Sequence, residues 1–129
     1  MKKNIYIALI KTLTSVFDTS RPLSMQAKMS LSASILGYSF PNWNFCGFYI
    51  ATKKNVLEIG PYYGHMIPCT NIAYGKGVCG TAAEKRETVI VNNVDNYNNY
   101  ISCDSETKSE IVVPVFERKN LKAVLDIDS

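Results

Sequence analysis

Three cysteines in the second half of this chain are spaced and surrounded in a way that suits thiol chemistry. Cys79 sits in the run Gly75-Lys76-Gly77-Val78-Cys79-Gly80-Thr81-Ala82-Ala83, Cys69 lies ten residues before it, and Cys103 follows twenty-four residues after it in Tyr100-Ile101-Ser102-Cys103-Asp104. Gly75, Gly77 and Gly80 permit backbone turns with positive φ that other residues resist. Thr81 to Arg86 then continue as good helix formers, which puts Cys79 at or just before a helix N-terminus. Unsatisfied N–H groups and the positive end of the helix dipole favour a thiolate there, the form of cysteine that acts as a nucleophile. The region from Gly75 to Asp104 is therefore read as the site.

The composition narrows the classes of function. A chain of 129 residues, 47% hydrophobic and 19% charged, fits a single domain with an ordinary core, spanning 1–129. A net charge of +3 without a basic stripe gives no reason to expect nucleic acid as a partner. Met1-Lys2-Lys3 followed by Ile5 to Ile10 faintly imitates a signal peptide, but Lys11 interrupts the apolar run and no small-residue cleavage pattern follows. No segment is apolar enough to span a bilayer, so no membrane association is expected and a cytoplasmic location is the default. The four cysteines include no C-x-x-C pair, and His65 is the one histidine. A zinc site built from Cys69, Cys79, Cys103 and His65 lacks familiar ligand spacing, and no metal is expected. Cys46 reads as a buried small hydrophobe.

The elements that must position the cysteines follow from periodicity. Ile7, Ile10, Leu13, Val16 and Phe17 recur at helical spacing over residues 4 to 18. A second helix is expected from near Pro22, capped by Ser20, running through Met25, Met29, Leu31 and Ile35 to Gly37. Phe45 to Ala51 reads as a strand, paired across the polar turn Thr52-Lys53-Lys54-Asn55 with Val56 to Gly60. After a helix at 78 to 86 comes a short strand at Thr88 to Val91. Asn92 to Tyr100 is a polar loop leading straight into Cys103, placed where a lid would be. Ile111 to Phe116 and Leu121 to Ile127 form a closing hairpin, in which Pro114 must take an edge or non-donating position. The fold class expected is α+β: a central antiparallel sheet with the N-terminal helices packed on one face.

Five segments in order resemble the motifs of the free methionine-R-sulfoxide reductases, a GAF-domain family. They are Gly60-Pro61-Tyr62-Tyr63-Gly64, Gly75 to Ala82, Ile101-Ser102-Cys103-Asp104, Ser109-Glu110-Ile111-Val112-Val113-Pro114, and Val124-Leu125-Asp126-Ile127-Asp128-Ser129. The resemblance is strong from about Phe45 to Ser129 and is one of helical character only before that. It implies a GAF-like fold and a cytoplasmic oxidoreductase, in the oxidative stress response, that reduces free methionine-R-sulfoxide through a cysteine sulfenic acid and a disulfide. No cofactor is implied beyond an external thiol reductant such as thioredoxin. Matched motif by motif, Cys103 takes the place of the nucleophile and Cys69 that of the main resolving cysteine. Cys79 takes that of a second cysteine, in disulfide exchange or in substrate binding. Glu110, Asp126 and Asp128 match the family's active-site carboxylates, and Phe45 and Tyr49 its aromatic wall for the substrate methyl group.

The residues are suited to those implied roles. A cysteine sulfenic acid must be resolved by a second thiol before it over-oxidises, which gives several cysteines a reason to be present. Asp126 and Asp128, two apart on a strand, point to one face. Joined there by Glu110, they cannot all ionise cheaply, so at least one should keep its proton and serve as a general acid, leaving the others for the substrate ammonium. Two departures from the family pattern stand out. Phe45 occupies a position that is usually tryptophan. The chain also stops at Ser129, where the family continues into a further C-terminal helix, so exposed apolar surface or a homodimer partner covering it is expected. The competing reading is a GAF-type small-ligand or redox sensor without turnover, since fold alone does not settle function.

Overall fold

The computed structural model describes residues 1–129. Six strands form one antiparallel sheet. In chain order these are β1 (Phe45–Lys53), β2 (Val56–Gly64), β3 (Asn71–Ala73), β4 (Val89–Val91), β5 (Glu110–Glu117) and β6 (Asn120–Asp128). They lie in the spatial order β3-β2-β1-β6-β5-β4. Helix α2 (Met25–Ser39) covers one face with α1 (Lys2–Phe17) packed against it, while α3 (Gly77–Lys85) covers the other.

Strand alternation sorts the side chains between these two faces. Phe45, Tyr49, Leu57, Val112 and Val124 join Val78, Cys79, Ala82 and Ala83 of α3 in the larger core, and each is essentially buried. Phe48 and Ala123 pack against Met29 and Ala33 of α2 in the smaller one. Burial of each large apolar side chain contributes about 1.5–3 kcal/mol, so the α3 side carries most of the stabilisation. Cys46, on the α2 side of β1, is fully buried and remains a free thiol. Burial, then the nearby Asp128 charge, pushes its pKa up to about 12, which leaves it inert.

Several boundaries differ from the sequence expectation. The cap of α2 is Ser24, whose Oγ accepts from Ala27 N–H at 3.2 Å, so Pro22 lies outside the helix and Ser20 caps nothing. The helix also continues past Gly37, whose missing side chain admits the Tyr63 ring. The partly buried stripe of α1 is Leu9, Leu13, Val16 and Phe17, whereas Ile7 and Ile10 face outward. No residue of α1 is buried. β2 runs on to Gly64 through an irregularity opposite Gly47 to Tyr49, and the three-residue strand β3 carries no sequence signal of its own. Pro114 pairs with Val124 on one side and lies beyond the end of β4 on the other, so its missing N–H leaves no ladder bond unmade.

Candidate active site

Register alone brings three carboxylates together. β5 and β6 pair Glu110 with Asp128 and Val112 with Asp126, and β1 sets Phe45 opposite Asp128 and Gly47 opposite Asp126. All three acids therefore rise from the α3 face of neighbouring strands, beneath the helix. Glu110 is 9% exposed, Asp126 4% and Asp128 8%. Burial is the first cause of their shifted titration. It holds the Asp126 carboxyl well above the carboxylate range, helped by the charges of Asp128 and Glu110. It also lifts Asp128 to about 7. Glu110 is raised by burial too, with partial offset from hydrogen bonding by Asp126, Asp128 and Cys79.

α3 delivers Cys79 to the same place. Lys76 is its N-cap, so Cys79 stands in the first turn, its Sγ 3.8 Å from Glu110 Oε2. Gly75 and Gly77 have positive φ, but Gly80 does not. Its role is close approach, since a Cβ at Gly80 would meet the Ala73 carbonyl oxygen at 2.3 Å. The expectation of a Cys79 thiolate is overturned by its surroundings. Burial first, and then the charges of Asp126, Glu110 and Asp128, push its pKa well above the ordinary value. The helix dipole contributes at most about 2 kcal/mol and does not offset a desolvated site facing three acids. Cys79 is a thiol that donates to Glu110.

The loop from Asn92 to Asp104 closes over this floor. Tyr97 Oη donates to Thr81 Oγ1 at 3.2 Å, and Asn99 Nδ2 donates to the Gly75 carbonyl at 2.7 Å, so the loop is fastened to the start of α3. Its far end carries Cys103, joined to Cys69 in a disulfide with a Cα–Cα distance of 5.4 Å. Asp104 accepts from Asn44 Nδ2 at 2.7 Å, and the same amide donates to Thr107 Oγ1 at 2.8 Å.

Between floor and loop lies a cavity lined by Phe45, Tyr49, Cys79, Tyr100, Cys103, Glu110, Asp126 and Asp128, with Lys76 and Met66 beside them. Cys69 reaches it only through its bond to Cys103. The Phe45 ring lies 6.2 Å from that of Tyr49 and 5.5 Å from that of Tyr62, a continuous aromatic wall. With the bridge closed the cavity measures about 20 Å³, room for roughly one water. Sequence reasoning gave no role to Lys76 or Tyr100, although both fall in the stretch from Gly75 to Asp104 read as the site, and it missed Asn44. Tyr100 adjoins the Cys103 motif and could have been found there, while nothing local marks Asn44. His65 and Cys46 take no part in the lining.

The arrangement offers a disulfide-bonded cysteine pair above three buried carboxyls whose titration is raised, beside an aromatic wall, which suits thiol-based reduction of a small polar molecule. No protein-family model matches the chain. The chain is 51% identical over 89 residues to the free methionine-R-sulfoxide reductase of Saccharomyces cerevisiae, a match that covers 66% of this chain and 48% of the yeast protein. It thus spans about half the length of that relative. The structure of the free methionine-R-sulfoxide reductase of Neisseria meningitidis in complex with its substrate superposes with a TM-score of 0.82 at 37% identity, covering 94% of this chain and 70% of that one. A structure described as a GAF domain superposes with a TM-score of 0.89 at 36% identity, covering 98% and 74%.

Proposed function

The chain belongs to the free methionine-R-sulfoxide reductase family, and on that premise we propose that it reduces free L-methionine (R)-S-oxide to L-methionine. The observation that carries this reading is the Cys69–Cys103 bridge, closed directly over a pocket floored by three buried carboxyls. In the reduced chain, Cys103 attacks the sulfoxide sulfur as a thiolate, while a protonated carboxyl, Asp126 or Asp128, gives its proton to the sulfoxide oxygen. Methionine leaves and Cys103 is left as the sulfenic acid. The Cys69 thiol then condenses with it, releasing water and forming the disulfide. A dithiol protein such as thioredoxin reopens the bridge by exchange, with no cofactor held by the chain itself.

The other residues divide the binding work. Glu110 and the ionised member of the aspartate pair hold the substrate ammonium, which a methionine sulfoxide within a peptide lacks. Phe45 and Tyr49 hold the methyl group, and the smaller ring at Phe45 leaves a looser wall than tryptophan makes. Cys79, a thiol against Glu110, takes part in substrate binding or in later exchange. A 20 Å³ cavity cannot admit the substrate, so the bridged form stands for the end of a turnover. No helix is long and apolar enough to cross a membrane, and the reductase works in the cytoplasm, where thioredoxin keeps such bridges open. A homodimer would cover the outward apolar residues Ile5, Ile7 and Ile10 of α1.

The test is methionine release from the free R-sulfoxide with excess dithiothreitol, comparing the wild type with Cys103→Ser. Turnover in the first and none in the second is expected. A folded wild type that releases no methionine sinks the enzyme reading and leaves a redox or ligand sensor.

A further inference from the structure

The donor atoms of Cys79, Glu110 and Asp126 lie within 4.8 Å of one another. In the same cavity lining two buried oxygens, Asp126 Oδ1 and Asp128 Oδ1, have no hydrogen-bond partner. Such oxygens are costly to leave unmade, and here both sit at one cavity wall in residues more than nine-tenths buried. We propose that Cys79, Glu110 and Asp126 form a binding site for a divalent cation of the zinc class, three protein ligands that leave the fourth position open.

The donor set selects the ion. One sulfur with two carboxylate oxygens suits zinc, which accepts mixed sulfur and oxygen ligands in four-coordinate sites, while magnesium and calcium call for six or more oxygens. A tetrahedron with Zn–S of ~2.3 Å and Zn–O of ~2.0 Å sets its sulfur and oxygen about 3.5 Å apart. The Cys79 Sγ to Glu110 Oε2 separation is 3.8 Å, and all three donor atoms lie within 4.8 Å of one another, so the carboxylates must swing inward to close on the ion. On binding, the proton of the Cys79 thiol and the proton held within the carboxyl cluster both pass to solvent, and the thiolate and carboxylates coordinate the ion, with no change of oxidation state. Lys76 beside the cavity is the one cation facing the site, against three acids and the thiol. The Cys69–Cys103 bridge takes no part, so the disulfide form of the chain holds the site complete. This set differs from the Cys69, Cys79, Cys103 and His65 combination suggested by the cysteine count, because the fold puts two of those thiols in a bridge and His65 outside the cavity lining. The site holds whether or not the chain turns over a sulfoxide; where it does, the ion blocks the pocket floor.

Cobalt(II), which reports thiolate ligation through a sulfur-to-metal charge-transfer band, is the probe, titrated into the full chain in its disulfide form. The expected result is one such band per chain, displaced by zinc, lost in Cys79→Ser, kept in Cys46→Ser, and with cobalt affinity at least tenfold weaker in Glu110→Gln. Absence of the band in the wild type, or its persistence in a folded Cys79→Ser, overturns the proposal. Should Cys79→Ser fail to fold, Cys46→Ser decides: its one remaining thiol is Cys79, so a band there supports the site and no band removes it. None of these readouts depends on methionine release.

Discussion

Asn44 Nδ2 donates to Asp104 Oδ2 at 2.7 Å, tying the residue before β1 to the residue after Cys103. The bond crosses sixty positions of sequence and fixes where the Cys103 backbone turns. Its partner is a carboxylate, and the same amide holds Thr107, which is buried. Loss of both bonds in Asn44→Ala costs about 2–3 kcal/mol of local stability in this loop. If the chain oxidises Cys103 as proposed, the Cys69–Cys103 bridge should then close several-fold more slowly, as followed by quenched thiol counting after one oxidation. Closure at the wild-type rate would show that the tether does not position Cys103.

The Asp128 carboxyl predicts how stability varies with pH. Its pKa rises from 3.8 to about 7 on folding, chiefly through burial. Between those values the folded chain binds more protons than the unfolded one, so this contribution is complete below about pH 4 and is lost as pH rises through about 7. Asp126 and Glu110 are shifted in the same direction. The melting temperature should fall between about pH 5 and about pH 8, with Asp128 alone responsible for about 2–3 kcal/mol across that interval. Asp128→Asn should flatten the fall and raise the melting temperature at the upper pH. A profile that rises over this interval contradicts the assignment.

Cys69→Ser separates the first chemical step from the second. With thioredoxin as the only reductant, the variant should release about one methionine per chain and then stop, because Cys79, the one thiol left in the cavity, is held against Glu110 and does not condense with the sulfenic acid. Quenched-flow stoichiometry measures this directly. Sustained turnover would transfer the resolving role to Cys79.

Gly80→Ala tests the packing that seats α3. The added methyl would meet the Ala73 carbonyl oxygen at 2.3 Å and the Gly75 nitrogen at 3.2 Å, both backbone atoms that cannot swing aside. A loss of about 1–3 kcal/mol is expected from overpacking, read as a lowered denaturation midpoint with an unchanged slope. An unaffected midpoint would mean that the turn before α3 shifts freely.

Much of the fold could be read from the chain because the relevant forces are local. Strand alternation placed Phe45 and Tyr49 on one face and Cys46 on the other, and two-residue spacing put Asp126 beside Asp128. Helix-forming residues after Gly77 placed α3 to within a residue or two, and the turn at Arg118 and Lys119, with Arg118 at positive φ, closes the hairpin where polarity suggested. The failures also have a common cause. Ser24 rather than Ser20 caps α2 because the competition between two serines is decided by where α2 must land on Phe48 and Ala123. β3 exists only because β2 offers it an edge.

At the site the division is sharper. The residue types, three cysteines and three acids in order, belong to the sequence, and so does the chemistry they are able to do. Their protonation does only in part: the two-residue spacing already implied that one acid keeps its proton, but Cys79 at a helix N-terminus reads as a thiolate until three buried carboxyls are brought against it, and long-range pairing of β5, β6 and α3 does that. The tertiary structure likewise decides which thiols are bridged, that Asn44 holds Asp104, and that two carboxylate oxygens are left unpartnered in one small cavity. Desolvation and charge at a point depend on every chain segment meeting there, and no single segment carries that information.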